Sequence, residues 1–222
     1  LGGVVLAAVA MAADWPQWRG PNRDGKAEGF TAPATWPEAL TKQWDVAVGA
    51  GDATPALVGD KLFVYARQGS EEVTLCLDAS SGKEVWRQAM PAAAVTGADR
   101  GHAGPRSSPA VADGKVVTIS VGGVLACRAA ADGNLLWSKD EFANKTPKFH
   151  TSMSPMIVDG LAIAHLGTES AGALLACDLA SGAEKWRWNA EGPAYASPAL
   201  LTIDGTKQVV TLTAKSIVAV AL

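Results

Sequence analysis

Short apolar runs separated by glycine-containing turns dominate the chain. Three stretches start with a Ser-Pro or Thr-Pro step and continue through an apolar run, an Asp-Gly or Gly-Asp turn and a second, often β-branched run. They are TPALVGDKLFVYA from Thr54, SPAVADGKVVTIS from Ser108 and SPMIVDGLAIAHL from Ser154, and a fourth copy begins at Ser197. Asp-Gly between apolar runs is typical of a β-hairpin, because glycine adopts the positive φ that such turns need. Helical periodicity is scarce, so the pattern predicts strands.

A second motif follows each of the first three hairpins. It reads CLDASSGKEVW, CRAAADGNLLW and CDLASGAEKW, and it ends at Trp86, Trp137 and Trp186. The copies recur at about fifty residues, a period that indicates a repeat architecture. Four hairpin-linked strands per repeat predict an all-β fold made of four-stranded antiparallel β-propeller blades. The predicted units are 54–86, 108–137, 154–186 and 197–222.

The glycine four residues before each tryptophan is expected to turn the third strand into the fourth. Gly82, Gly133 and Gly182 would supply the positive φ of that turn. The constant spacing keeps the indoles on one face, where each would wedge between neighbouring blades. Trp44 matches the same place in a fourth strand, so residues 42–48 are predicted to form a ring-closing strand.

Two ring sizes are compatible with this arrangement. Trp44 could complete the fourth copy in a four-bladed ring, or the chain could be the N-terminal half of a larger ring. The larger ring is favoured, because the fourth copy stops in mid-strand at Leu222. The remaining blades of the protein would then lie outside this sequence.

The cysteines at 76, 127 and 177 are predicted to be buried free thiols that serve as packing groups. Equivalent positions on adjacent blades should lie about 10 Å apart, the spacing of packed sheets. A disulfide requires Cα atoms within roughly 7 Å. Val220 takes the same place in the fourth copy, which indicates a site for a small apolar group.

The N-terminal segment has two predicted parts. Residues 1–13, LGGVVLAAVAMAA, are uncharged and end in small residues, as in the remnant of a secretory signal peptide. The run is too short for a transmembrane helix. It predicts a periplasmic or secreted protein. Residues 14–41 are predicted to form a latch on the outside of a blade, with peptide or sugar binding as a second use of its aromatic residues, Trp15, Trp18, Phe30 and Trp36.

Charge and motif content exclude several functional classes. The net charge is −3, 18% of residues are charged, and no basic block occurs, so nucleic acid is not an expected partner. No nucleophile elbow, paired-cysteine zinc spacing or phosphate loop occurs. The three histidines, His102, His150 and His165, lack metal-like spacing, so no metal site is predicted.

Candidate binding residues occur three positions before each repeat proline. These are Asp52, Arg106, Ser152 and Tyr195, which would project together near a central channel. The long loop before the second repeat also carries Asp99, Arg100 and His102, and the next loop carries Lys148 and His150. A mouth with Arg106, His150 and Tyr195 could hold an anionic or carbonyl ligand. Alternatively, Asp52 and Arg106 only satisfy loop carbonyls and each other.

The repeat resembles the pyrroloquinoline quinone (PQQ)-type propeller repeat, whose glycine–tryptophan signature is called the tryptophan-docking motif. The opening DWPQWRGPNRDG, residues 14–25, is similar to the start of exported propellers described as PQQ-binding-like or BamB-like. The resemblance implies a seven- or eight-bladed ring. In the quinoprotein dehydrogenases of this family it also implies PQQ at the mouth, an adjacent Cys-Cys disulfide, calcium on acidic and amide side chains, and an Asp base. This sequence has no Cys-Cys pair and no matching acidic cluster.

The favoured interpretation is therefore an exported, non-catalytic scaffold that binds a protein partner or small ligand at the propeller face and needs no cofactor. The alternative is a PQQ-dependent oxidoreductase that uses calcium. A third hypothesis, a hydrolase on the longest loop, has only Asp99 and His102 in its favour.

Overall fold

Four antiparallel sheets follow one another along the chain in the structure, a computed structural model that describes residues 13–27 and 29–222. Blade 1 contains β1 (Ala56–Val58), β2 (Lys61–Gln68), β3 (Glu71–Asp78) and β4 (Glu84–Pro91). Blade 2 contains β5 (Ala110–Ala112), β6 (Lys115–Ile119), β7 (Leu125–Ala129) and β8 (Leu135–Lys139). Blade 3 contains β9 (Met156–Val158), β10 (Leu161–Thr168), β11 (Ala171–Asp178) and β12 (Glu184–Ala190). Blade 4 contains β13 (Ala199–Ile203), β14 (Thr206–Leu212) and β15 (Ile217–Ala221).

The predicted all-β repeat fold is confirmed. A 3₁₀ helix over Gly97–His102 lies in the loop between the first two blades. No helix in the described ranges is long and apolar enough to cross a membrane. The predicted signal-peptide remnant falls on residues 1–13, of which all but Ala13 lie outside the described residues.

The Asp-Gly steps form the hairpin turns that the sequence predicts. Asp113 and Gly114 have φ values of 49° and 68°, and Asp159 and Gly160 have 49° and 72°. Positive φ at both central residues is the mark of a type I′ turn, whose twist matches that of the flanking strands. These turns connect the first and second strands of blades 2 and 3.

The first strand of each blade lies innermost, and serine hydroxyls link these strands around the axis. β1 packs against β5, and β5 packs against β9. The amide of Thr54 donates to Ser108 Oγ, that of Ser108 to Ser154 Oγ, and that of Ser154 to Ser197 Oγ, each at 2.9 Å. We call this series the serine ladder. It gives the Ser/Thr-Pro step a role that its spacing alone did not indicate.

Each tryptophan of the first two blades lies against the turn glycine of the following blade. An ideal Cβ on Gly133 would come within 2.6 Å of the Trp86 ring, and one on Gly182 within 2.6 Å of Trp137. The Trp86 Nε1 donates to the carbonyl of Ala130 at 2.9 Å, and the Trp137 Nε1 to the carbonyl of Leu179 at 3.0 Å. The same carbonyl, three residues before the glycine, is used each time.

Trp44 makes the corresponding contacts with blade 1 without belonging to a strand. Its ring lies 2.6 Å from the place of a Cβ on Gly82, and its Nε1 donates to the Ala79 carbonyl at 3.1 Å. Residues 42–48 pair with no strand of the described chain, so the ring-closing strand stays a prediction. The segment contacts blade 1 through its indole, not through a backbone ladder, and a strand requires a ladder.

Trp186 packs on the cluster that joins blades 3 and 4, beside Val220 and Leu222. Its Nε1 is buried without a hydrogen-bond partner among the described residues. The indole therefore occupies the expected interface but lacks the carbonyl acceptor that the other three tryptophans have.

The cysteines are free and buried, as predicted, but they do not share one register. Cys76 pairs with Trp86 and Cys127 with Trp137, whereas Trp186 pairs with Ala176. Cys177 therefore lies one residue past the equivalent position, because the third copy has one residue fewer between its cysteine and its glycine. Burial raises the pKa of Cys76 and Cys127 to about 11, so these thiols stay protonated.

The segment 14–25, here called the plug segment, lies on the innermost strands, which corrects its predicted place outside a blade. Trp15 and Leu57 of β1 exchange two backbone hydrogen bonds of 2.8 and 3.0 Å, and Val111 of β5 donates to the Pro16 carbonyl. Arg23 donates to the carbonyls of Pro155 and Pro198, just before β9 and β13. The inner strands have free edges and exposed carbonyls, which explains why the segment binds there.

A buried carboxylate joins blades 1 and 2. Glu72 is fully buried; its Oε1 accepts from the Val121 amide at 3.1 Å, and its Oε2 accepts from the Tyr65 hydroxyl. Burial raises the pKa of Glu72 above its usual value, although both hydrogen bonds act against the increase. The folded protein therefore favours the protonated carboxyl more than the unfolded chain does.

We expect Glu72→Gln to reduce the pH dependence of stability. Where the folded pKa exceeds the unfolded one, the native state binds more protons, so the free energy of unfolding falls as pH rises through that window. Glutamine stays neutral at every pH. The free energy of unfolding of the variant should therefore rise relative to that of the wild type as pH increases above about 4.5, the ordinary pKa of glutamate. Urea unfolding at several pH values measures this difference.

Glu72→Leu is the matched control for that prediction. It leaves the Val121 amide buried without an acceptor, which costs about 1–3 kcal/mol at every pH. If the gap between Glu72→Gln and the wild type stayed constant with pH, the raised pKa would not be the cause.

Candidate functional site

The four side chains predicted to share a channel mouth line one cavity of about 370 Å³, here called the mouth cavity. The cavity lies at the end of the blades where the loops enter the first strands, because each of the four residues precedes a repeat proline. Its lining consists of Trp18, Arg19, Asp52, Arg106, Ser152, Ser154, Tyr195, Ala196 and Ser197. His150, also predicted for this mouth, is not part of the lining.

Arg106 connects loops and does not present a free guanidinium. Its Nη1 donates to the Phe149 carbonyl at 2.5 Å, and its Nη2 to the His102 carbonyl at 3.1 Å and to Asp99 Oδ2 at 3.2 Å. Asp52 accepts no hydrogen bond from Arg106. Its Oδ2 lies 3.1 Å from His102 Nδ1 instead. The alternative in which Arg106 satisfies loop carbonyls matches these contacts, whereas the proposed Asp52–Arg106 pair is not formed.

Tyr195 is held by neighbouring loops in a similar way. Its hydroxyl donates to Glu169 Oε1 at 3.0 Å and accepts from the Phe149 amide at 3.2 Å, and its carbonyl accepts from Ser152 Oγ at 3.1 Å. Its ring centroid lies 5.9 Å from that of Phe149. Burial, and then the neighbouring Glu169 carboxylate, raise the pKa of Tyr195, so the phenol stays neutral at physiological pH.

Two residues near the mouth, Arg19 and Glu169, were not among the candidates from the sequence, and Trp18 was expected on the outside of a blade. Trp18 and Arg19 belong to the plug segment, whose place on the inner strands no local pattern indicates. Glu169 lies in the tight turn between β10 and β11, where an acidic residue is unremarkable. Only the fold brings it to Tyr195.

The mouth residues do not fit PQQ with calcium. No group of three or more His, Cys, Asp or Glu side chains that could hold a metal occurs in the described ranges. The cysteines are single buried thiols, so they do not supply an adjacent pair. The acidic groups at the mouth, Asp52, Asp99 and Glu169, are each engaged by a different neighbour, namely His102, Arg106 and Tyr195.

Solved structures with this fold include dehydrogenases. Quinohemoprotein alcohol dehydrogenase from Comamonas testosteroni matches 92% of this chain and 36% of its own, with 19% identity and a TM-score of 0.67. Quinohemoprotein alcohol dehydrogenase ADHIIG from Pseudomonas putida HK5 matches 76% of this chain and 29% of its own, with 19% identity and a TM-score of 0.52. At this level of identity, the likeness establishes the fold alone.

Sequence comparison identifies the family. A curated relative, outer membrane protein assembly factor BamB from Xanthomonas campestris pv. campestris, is 34% identical over 106 residues. The match spans 46% of this chain and only 25% of the relative. The family model described as outer membrane protein assembly factor BamB matches residues 29–220. The chain therefore belongs to the BamB-like family of β-propellers built from PQQ-like repeats.

Proposed function

We propose that this protein is an exported, non-catalytic scaffold that binds a partner protein segment or small ligand at the channel mouth. The observation that carries the proposal is the pairing of the mouth residues with one another around an open cavity. Arg106 is bound to two carbonyls and to Asp99, and Tyr195 to Glu169. Arg106 and Tyr195, held in this way, fix the positions of the loops around the cavity.

The family to which the chain belongs also supports the scaffold proposal. The curated relative is named for outer membrane protein assembly. Loops of different length on a rigid β scaffold are where binding residues commonly occur. The mouth cavity is lined from the plug segment and from loops of all four blades, so a ligand there would contact every blade.

PQQ-dependent oxidation is the second candidate function, because the fold matches that of two quinohemoprotein alcohol dehydrogenases. A direct test adds PQQ and calcium to the full-length protein and measures cofactor binding and dye-linked oxidation of alcohols and aldehydes. We expect no binding at micromolar PQQ. Saturable binding with substrate-dependent dye reduction would overturn the scaffold proposal.

Site-specific photocrosslinking tests the scaffold directly. A photoreactive amino acid at Ser152, in the mouth cavity, should form discrete adducts with a bound protein in the periplasm of the producing cell. The control position is Lys83, which lies in the exposed turn between β3 and β4, at the opposite end of blade 1. Adducts of equal yield at both positions, or none at Ser152, would contradict a protein-binding mouth.

A further inference from the structure

The plug segment carries two arginines for which no carboxylate partner is found in the described chain. The Arg19 guanidinium donates to the Asp24 carbonyl at 3.2 Å. Arg23 donates to Gln17 Oε1 and to two proline carbonyls, at 3.0 to 3.2 Å. Its Nη2 is buried with no hydrogen-bond partner. Neither guanidinium forms an ion pair among the described residues.

The two positive charges act on each other. Burial, and then the charge of Arg19, lower the pKa of Arg23 to about 10. A guanidinium removed from water is costly unless it is paired, so an anion near this pair would be attracted. Arg23 is fixed to the inner strands of blades 3 and 4, whereas Arg19 is exposed in the mouth cavity. Arg19 is therefore the guanidinium that an incoming anion can reach.

The backbone holds Arg19 in place at some cost. Arg19 has a φ of 64° and the next residue, Gly20, a φ of 82°. A left-handed conformation is unfavourable for a non-glycine residue. The conformation is fixed by the Arg19 carbonyl, which accepts from the Gly25 amide at 2.9 Å, and by the Trp15 ring against Gly20. The guanidinium is thus presented by a closed turn and not by a loose terminus.

The serine ladder contributes hydroxyl donors to the same cavity. Ser154 Oγ and Ser197 Oγ each accept a backbone amide at 2.9 Å. A hydroxyl that accepts one hydrogen bond still has its own proton to donate. Both serines belong to the lining of the mouth cavity, as do Arg19 and the exposed Trp18.

We propose that the mouth cavity is a carboxylate-binding site in which Arg19 pairs with the carboxylate. The hydroxyls of Ser154 and Ser197 donate to it, and Trp18 packs on the apolar group that carries it. The guanidinium fork matches a carboxylate geometrically and strengthens both hydrogen bonds. The proposal rests on the binding function proposed above and names its ligand chemistry. The carboxylate comes from the C-terminus of a peptide or from a small organic acid.

Calorimetric titration of the full chain tests the site. The ligands are N-acetyl-Ala-Phe with a free carboxyl, the same dipeptide as its amide, and phenylacetate. We expect the free acid to bind about tenfold more tightly than the amide, and its affinity to fall as salt increases. Comparable binding of phenylacetate indicates a small acid, whereas weaker phenylacetate binding indicates a peptide terminus.

Arg19→Gln should remove the preference for the acid over the amide, and Arg19→Lys should retain part of it. Lys26→Gln is the matched control, because it also removes one exposed positive charge close to the plug segment. Lys26 Nζ lies 3.8 Å from Asp24 Oδ2. Circular dichroism verifies that each variant is folded. Equal affinity for acid and amide, equal effects of Arg19→Gln and Lys26→Gln, or no binding at millimolar ligand would each overturn the proposal. Crosslinking at Ser152 that persists in Arg19→Gln would leave the scaffold function intact while this inference fails.

Discussion

Trp137→Ala is expected to destabilise the protein by about 3–5 kcal/mol, the usual cost of removing a large buried aromatic side chain. Trp137 is 9% exposed and packs in the largest cluster, between blades 2 and 3. The substitution also leaves the Leu179 carbonyl without the indole donor. Urea unfolding, followed by circular dichroism, measures the loss.

Trp36→Ala is the matched control for this effect. Trp36 is 60% exposed and contacts Phe30, so its removal should change the free energy of unfolding by less than about 1 kcal/mol. A Trp137→Ala loss as small as that of Trp36→Ala would refute the interface role of the docked indole.

Gly133→Ala is expected to cost about 2–5 kcal/mol, through two separable effects. Gly133 has a φ of 77°, which an L-residue adopts at a cost of roughly 1–2 kcal/mol. An added Cβ would also lie 2.6 Å from the Trp86 ring, and overpacking of this kind typically costs about 1–3 kcal/mol more.

Gly114→Ala separates the two effects within the same blade. Gly114 has a φ of 68°, but a Cβ there meets nothing within 4 Å. Its loss of stability should therefore be the conformational part alone, about 1–2 kcal/mol. Equal losses for the two variants would mean that contact with the indole contributes nothing at Gly133.

The fold could be predicted from the sequence because its determinants are local. The type I′ turns at Asp113-Gly114 and Asp159-Gly160 depend on two adjacent residues. The glycine-to-tryptophan step also lies within one hairpin. The position of Cys177 is the exception. The turn has the same length in blades 1 and 3, but Cys177 pairs with Glu184 as Leu77 pairs with Glu84, and Ala176 takes the place of Cys76.

The mouth cavity was predicted only in part, because the residues that line it and contact one another come from distant parts of the chain. The repeat prolines located four of its side chains. The plug segment could not be placed, since Arg23 contacts the Pro155 and Pro198 carbonyls across 132 and 175 residues. Arg106 was a reasonable ligand-binding candidate by charge. One of its carbonyl partners, Phe149, belongs to another loop, and the other, His102, lies four residues earlier in the same loop, so the pair leaves no regular signature.

The seating of each indole in the following sheet gives the assembly a direction. Unfolding of blade 3 would remove the Gly182 turn that covers Trp137 and the Leu179 carbonyl that accepts its hydrogen bond, which would destabilise blade 2. Melting of blade 1 would unseat Trp44 and withdraw Trp86 from blade 2, yet blade 2 would keep its own indole docked. Loss of a blade should therefore leave its N-terminal neighbour with an uncovered indole and its C-terminal neighbour with an uncovered glycine turn.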